Sequence, residues 1–276
     1  MTTILVTTDF SSNSKAGIRF AIQLASQMPC KLVFYNALEL MIPTLWSTEE
    51  MAEFIQTETT VCKKQLGKFL KNIFKKAEKE DITYDYAVEM GMNVDNFIAN
   101  YAQKINTDFI CMSTRGAGML NQLIGTNAST LVSTSPVPVI VVPKSYRFKP
   151  ITKIGYSSDF ENFDKEIKTV GNLAVALNSK IHVYHFSYQL HESESKAELE
   201  EIERKYASDN IAFHVPKLEI EYSLVENLHH VVKKAKPSLL VMFTKQKHNW
   251  FERFFYSSKT ADMTFDIKVP LLAFRK

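Results

Sequence analysis

The sequence predicts an α/β protein made of two Rossmann-like domains, residues 1–145 and 150–276, each a five-stranded parallel sheet with helices on both faces. Three observations carry the prediction. A chain of 276 residues is long for one ordinary domain and comfortable for two of roughly 140, each able to bury its own core. Short β-branched runs alternate with longer segments of helical period, the pattern of parallel strands joined by crossover helices. Above all, four blocks recur in the same order. Ile4-Leu5-Val6-Thr7-Thr8-Asp9-Phe10-Ser11 returns as Ile154-Gly155-Tyr156-Ser157-Ser158-Asp159-Phe160-Glu161, and Lys31-Leu32-Val33-Phe34-Tyr35-Asn36 as Lys180-Ile181-His182-Val183-Tyr184-His185. Thr107-Asp108-Phe109-Ile110-Cys111-Met112 matches Pro237-Ser238-Leu239-Leu240-Val241-Met242, and Val137-Pro138-Val139-Ile140 matches Val269-Pro270-Leu271-Leu272.

In the first copy the strands are Ile4 to Thr8, Lys31 to Ala37, Tyr84 to Glu89, Asp108 to Ser113 and Val137 to Val142. After Asp9 the serines Ser11, Ser12 and Ser14 offer helix N-caps. Ala16, Phe20 and Leu24, with Ala21 and Ala25 beside them, then form an apolar helix face. Between Glu39 and Asp81 an irregular piece with Pro43 and Trp46 leads into a helix whose expected inner face holds Met51, Phe54, Phe69, Ile73 and Ala77. The matching region of the second copy is shorter by about twenty residues, so this connection tolerates variation. Pro143-Lys144-Ser145-Tyr146-Arg147-Phe148-Lys149-Pro150 sustains neither hydrophobic period and marks the boundary. The linker is short, so the two domains are expected to pack together.

Composition excludes several classes of function. A hydrophobic share of 45%, a charged share of 23% and a formal charge of +3, spread along the chain, give no basic block for nucleic acid. The longest apolar runs are far below the ~18 residues of a membrane span. The N-terminus enters a strand directly, without the basic, apolar and small-residue parts of a leader, and Cys30, Cys62 and Cys111 are odd in number and widely separated. Reduced, packing cysteines in a cytoplasmic protein are expected. His229 and His230 are adjacent on a helix and point to different faces, poor geometry for zinc. His182 and His185 stand at odd spacing in a strand, hence on opposite faces. No nucleophile is placed beside a base by spacing.

A ligand of a parallel α/β sheet sits outside the carboxyl ends of the strands, where strand order reverses. Asp9 closes the first strand there. A sharper feature follows the fourth strand: Met112-Ser113-Thr114-Arg115-Gly116-Ala117-Gly118, then Gly125-Thr126-Asn127-Ala128-Ser129 opening a helix. Glycine lets backbone approach a phosphate closely, a helix N-terminus supplies free N–H groups, and Thr126 and Asn127 add side-chain donors. As a plain turn the cluster would not need a second glycine before a helix of small polar residues. It is neither G-x-x-x-x-G-K-[ST] nor the dinucleotide fingerprint, whose third glycine is missing.

At these residues the chain resembles the universal stress protein family, whose nucleotide-binding members carry G-x2-G-x9-G-[S/T] after the fourth strand and an Asp at the end of the first. Thr7-Thr8-Asp9-Phe10-Ser11, Gly91 after the third strand, Thr107-Asp108-Phe109-Ile110 and the Val-Pro-Val-Ile-Val-Val ending all match. The resemblance covers the chain twice and implies the adenine nucleotide alpha hydrolase-like form of the Rossmann fold. By that resemblance Thr8 and Asp9 meet adenine and a phosphate-bound Mg2+, and Ala37 lines the adenine pocket. Met112 and Ser113 approach ribose and phosphates, and Gly116, Gly125, Thr126 and Asn127 surround the triphosphate. Ser113 stands where the first glycine is expected, and eight residues instead of nine separate Gly116 from Gly125.

The second copy departs further, with Phe243, Gln246 and Tyr256 at the glycine positions. Side chains of that size fill triphosphate space. The run from Trp250 to Tyr256 reads either as a docking surface for a partner or as aromatics filling the vacated pocket. The resemblance implies a cytoplasmic stress-response protein that binds ATP in its first domain and acts as a sensor or adaptor. A slow ATPase and a nucleotide-free interaction scaffold are the alternatives. It also implies that Val137 to Val142 and Val269 to Phe274 pair as an internal pseudo-dimer, with homodimerisation and an unknown protein partner beyond that.

Overall fold

The computed structural model describes residues 1–40, 46–91, 97–114, 126–186, 192–219, 221–244 and 269–276, with backbone alone at 126, 127, 129, 192–198 and 225. Two compact units divide the chain, Met1–Arg147 and Phe148–Lys276.

The first unit runs β1 (Thr2–Thr7), α1 (Lys15–Gln27), β2 (Cys30–Glu39), α2 (Thr48–Ala77), β3 (Tyr84–Gly91), α3 (Phe97–Lys104), β4 (Phe109–Ser113), α4 (Thr126–Thr134) and β5 (Val139–Val142). Its strands are parallel in the order β3-β2-β1-β4-β5. Neighbouring residues of a strand point to opposite faces, so the complete burial of Ile4, Leu5 and Val6 in succession requires cover on both sides of the sheet. The unbroken burial of Val139 to Val142 says the same of β5.

Helix α1 buries Ala16, Phe20, Ala21 and Leu24, the face its spacing predicts. Its N-cap residue is Ser14, yet that side chain makes no capping bond; the hydroxyl turns back to the Ser11 carbonyl, 3.0 Å away. Helix α2 opens with a capping box, Glu50 N–H donating to Ser47 Oγ at 3.2 Å and Ser47 N–H to Glu50 Oε2 at 2.8 Å. Its buried stripe differs from the expected one: Cys62, Leu66, Leu70 and Phe74, spaced by four, face the core, while Met51, Phe54, Phe69, Ile73 and Ala77 are only partly covered. Only the C-terminal half of α2 has a buried stripe. There Phe74 stacks on Tyr84 and meets Phe34 edge to face.

The second unit repeats the plan: β6 (Lys153–Ser158), α5 (Phe163–Leu177), β7 (Lys180–His185), α6 (Glu192–Tyr206), β8 (Ile211–His214), α7 (Leu224–Ala235), β9 (Leu239–Thr244) and β10 (Leu271–Arg275). Its parallel order, β8-β7-β6-β9-β10, is the same third-second-first-fourth-fifth arrangement. Among the described residues, no helix is long and apolar enough to cross a membrane. The three cysteines are free thiols, and burial pushes all three upward, Cys30 to about 11, which suits packing and not thiolate chemistry.

A histidine pair joins β7 to β8: His182 Nδ1 and His214 Nε2 lie 2.8 Å apart, one donating and one accepting according to tautomer. Burial, then Lys153, His214 and Lys180, pull His182 down to about 4; burial and Lys153 lower His214 too. In the unfolded chain histidine protonates near 6.5. The pair's contribution is therefore complete above about pH 6.5 and is lost as pH falls toward 4. Because the rings are partly exposed, the expected loss is discounted to about 1 kcal/mol. Urea denaturation at pH 7.5 and 4.5 checks it: wild type loses that increment, whereas His182→Gln shows a flatter pH dependence.

Candidate functional site

Strand order reverses between β1 and β4, since β2 and β3 extend to one side of β1 and β5 lies beyond β4. The carboxyl ends of these two strands carry Thr8-Asp9 and Met112-Ser113. Met112 and Ser113 belong to β4 itself, and Thr8 continues the β1–β2 pairing through its N–H to the Tyr35 carbonyl at 3.0 Å.

Hydrogen bonds join the two strand ends. Phe10 N–H donates to Thr8 Oγ1 at 3.2 Å, and Thr8 Oγ1 lies 2.9 Å from Ser14 Oγ. The Ser14 hydroxyl already donates to the Ser11 carbonyl, so Thr8 donates to Ser14. From the other strand, Ser113 Oγ donates to the Ser14 carbonyl at 3.2 Å and accepts from Gly17 N–H at 2.8 Å. Gly17 sits in the first turn of α1, where N–H groups lack intrahelical partners. A side chain there would meet the backbone of Met112 and Ser113 at 3.2 Å, so glycine is what lets α1 lie against β4.

This explains the serine in place of the expected glycine: its hydroxyl satisfies the Gly17 N–H in a buried position. Ser113→Ala is expected to destabilise the first domain by about 1–3 kcal/mol, the cost of leaving a buried donor without its acceptor. Urea denaturation measures it, and an unchanged midpoint would contradict this role.

Asp9 forms the next part of the turn, its Oδ1 accepting from Ser11 N–H at 3.0 Å, with the side chain half-buried. Phe10 between them has φ 62°, a left-handed conformation that costs a bulky residue about 1–2 kcal/mol. Asn36, almost fully buried, donates from Nδ2 to the Thr8 carbonyl at 2.7 Å, while its Oδ1 accepts from Cys62 Sγ at 3.4 Å. Ala37, the next residue of β2, is half-buried opposite Glu89. Thr126 and Asn127 open α4; Gly116 and Gly125 lie outside the described residues.

The second unit keeps the turn and changes its surroundings. Phe160 N–H donates to Ser158 Oγ at 3.1 Å, Glu161 N–H to Asp159 Oδ1 at 3.2 Å, and Phe160 has φ 64°. His185 replaces Asn36, its Nδ1–H donating to the Ser158 carbonyl at 3.1 Å while its ring stacks on Phe160. Phe243, the counterpart of Ser113, stacks on Phe274 and meets Tyr156 edge to face. Asp159 carries an ion pair: Lys276 Nζ lies 2.5 Å from both its carboxylate oxygens. Burial alone raises Asp159, but the Lys276 ammonium and the Glu161 N–H outweigh it and hold the carboxyl below its ordinary range. Gln246, Tyr256 and the run from Trp250 to Tyr256 lie outside the described residues.

The structure therefore brings Thr8 and Ser113 together through Ser14 and places Asp9 in the adjoining turn. Ser14 and Asn36 are members of this network that strand-end reasoning did not single out. The only signal for Asn36 in the sequence is an amide at the end of the apolar run Leu32 to Tyr35.

A doubly wound α/β domain with its candidate site at the reversal of strand order is the class of protein that fold and geometry define. The universal stress protein family profile matches residues 1–143, more than half of the chain, and the protein belongs to that family. No curated protein sequence matches it. Among solved structures it resembles a universal stress protein from Archaeoglobus fulgidus DSM 4304, with TM-score 0.69 and 12% identity, covering 99% of this chain and 98% of that one. A functionally unknown protein from Pseudomonas aeruginosa PAO1 gives TM-score 0.60 at 12% identity, over 99% and 92%. The cytoplasmic domain of a prokaryotic cation chloride cotransporter gives 0.51 at 8% identity, over 99% and 94%. At such identities the likeness is one of fold, and it extends over both halves.

Proposed function

We propose that the first domain binds ATP or another adenine nucleotide, with Mg2+, and that the protein acts as a cytoplasmic sensor or adaptor in a stress response. The observation that carries this reading is the placement of Thr8-Asp9 and Met112-Ser113 at the carboxyl ends of adjacent parallel strands on either side of the order reversal. Oxygen and backbone N–H donors there suit a phosphate–metal group. Asp9 would hold Mg2+, Thr8 and Ala37 would border adenine, and Met112 and Ser113 would approach the ribose and phosphates. Because the Ser113 hydroxyl is committed to Gly17 and Ser14, its contribution would come from the backbone. Gly116, Gly125, Thr126 and Asn127 would enclose the triphosphate at the α4 N-terminus. In the second domain the Lys276 ammonium already occupies the carboxylate of Asp159, the counterpart of Asp9, which favours a single nucleotide per chain.

A thermal-shift panel of ATP, ADP, AMP, cyclic AMP and GTP, each with and without Mg2+, tests the reading. At a hundredfold excess over Kd a specific ligand adds about 2.7 kcal/mol, and the adenine nucleotides alone are expected to give that shift. ADP released during incubation, dependent on Asp9, would move the reading to a slow ATPase; no shift with any nucleotide would leave the interaction scaffold.

A further inference from the structure

Helix α2 is longer than the fold requires. It runs for 30 residues, about 45 Å at 1.5 Å per residue, whereas the second unit makes the corresponding connection with the 15-residue α6. Its buried stripe, Cys62, Leu66, Leu70 and Phe74, belongs to the C-terminal half alone. The other half offers apolar surface. Trp46, just before the helix and 40% exposed, meets the partly covered Phe54 edge to face, and Val61 at mid-helix is 44% exposed.

The charges divide along the same line. Residues 48–61 carry Glu49, Glu50, Glu53 and Glu58 and no base, while residues 62–77 carry Lys63, Lys64, Lys68, Lys71, Lys75 and Lys76 and no acid. The helix dipole favours acids in the first turn and bases in the last, which accounts for Glu49, Glu50, Lys75 and Lys76 but not for the charges between them. Like charges four apart, Glu49 and Glu53, Lys64 and Lys68, Lys71 and Lys75, repel and weaken the helix that carries them. None of Glu53, Lys64, Lys68 and Lys71 forms an ion pair with another described residue. At about 100° per residue, Glu50, Glu53, Val61, Lys64, Lys68 and Lys71 share the face turned away from the buried stripe, and all six are exposed.

We propose that this outward face of α2 is where two copies of the chain pair, their α2 helices antiparallel about a two-fold axis near Val61. Antiparallel overlap sets the acidic half of each copy against the basic half of the other, whereas parallel overlap would set like against like. With the axis there, Glu50 and Glu53 lie beside Lys68 and Lys71 of the second copy, and the two Val61 side chains meet at the centre. The contact is isologous, so every charge pair occurs twice. The inference does not depend on nucleotide binding by the first domain, and its test uses none.

Sedimentation velocity of the full-length, nucleotide-stripped protein tests it. A concentration-dependent equilibrium of monomer and dimer is expected at low ionic strength, weakened about tenfold or more in about 0.5 M salt, which screens exposed charges. Glu53→Lys and Lys68→Glu should each weaken the dimer about tenfold or more, since each reversal turns attraction into repulsion at two symmetry-related places. Glu53→Lys/Lys68→Glu restores opposite signs across the axis and should recover most of the lost affinity, a rescue that a variant damaged in its fold would not show. A monomer at every concentration in low salt, a dimer indifferent to the single reversals, or a double variant no tighter than the singles overturns the proposal.

Discussion

Asp9→Asn is expected to weaken Mg2+-dependent ATP binding by roughly 10- to 100-fold, the equivalent of a charge-assisted contact of about 1.5–3 kcal/mol. The substitution is narrow by design. Asn keeps an acceptor for the Ser11 N–H, now 3.0 Å from Asp9 Oδ1, so the turn and the left-handed Phe10 survive while the negative charge goes. Stability should hardly move, and the advantage of adding Mg2+ should disappear. Asp159→Asn, its twin, should leave ATP binding intact. If Asp9→Asn titrates like wild type, Asp9 is a turn residue only and the metal assignment fails.

Asn36→Leu should affect both fold and binding. The side chain is about 1% exposed and donates to the Thr8 carbonyl at 2.7 Å. Leucine fills similar volume without the donor, so destabilisation of about 1–3 kcal/mol is expected. The Thr8-Asp9 turn loses the bond that sets its height above β2, and ATP affinity should fall with it. His185→Leu breaks the matching bond to Ser158 in the second unit and should cost comparable stability while leaving ATP affinity unchanged. Urea denaturation and calorimetric titration of both variants separate the effects. Loss of ATP binding in His185→Leu would argue against assigning the site to the first domain.

The difference between these twins shows what the sequence could and could not disclose. Strands were legible because β-branched runs such as Val139 to Val142 have only one economical environment, a sheet covered on both faces. The repeat was legible because the same turn, Asp9-Phe10-Ser11 and Asp159-Phe160-Glu161, is written in nearly the same letters. Helix α2 was harder: its apolar residues extend beyond the stripe that is buried, and periodicity alone did not select Cys62-Leu66-Leu70-Phe74. The network around the candidate site was hidden for a different reason. Ser113 finds Gly17 across 96 positions, and Lys276 finds Asp159 across 117. Such pairs are created by sheet order and leave no local spacing to read. Ser113 looked like a defect in a glycine motif, whereas its hydroxyl bonds the first turn of α1.

That each chain holds one nucleotide, and holds it in the first domain, is decided by calorimetric titration of ATP with Mg2+ into nucleotide-stripped protein, beside Gly125→Tyr. Saturable binding near one ATP per chain is expected in wild type and none in Gly125→Tyr, which carries into the first copy the residue type found at the matching sequence position, Tyr256, of the second. No heat in wild type, or undiminished binding in Gly125→Tyr, would contradict it.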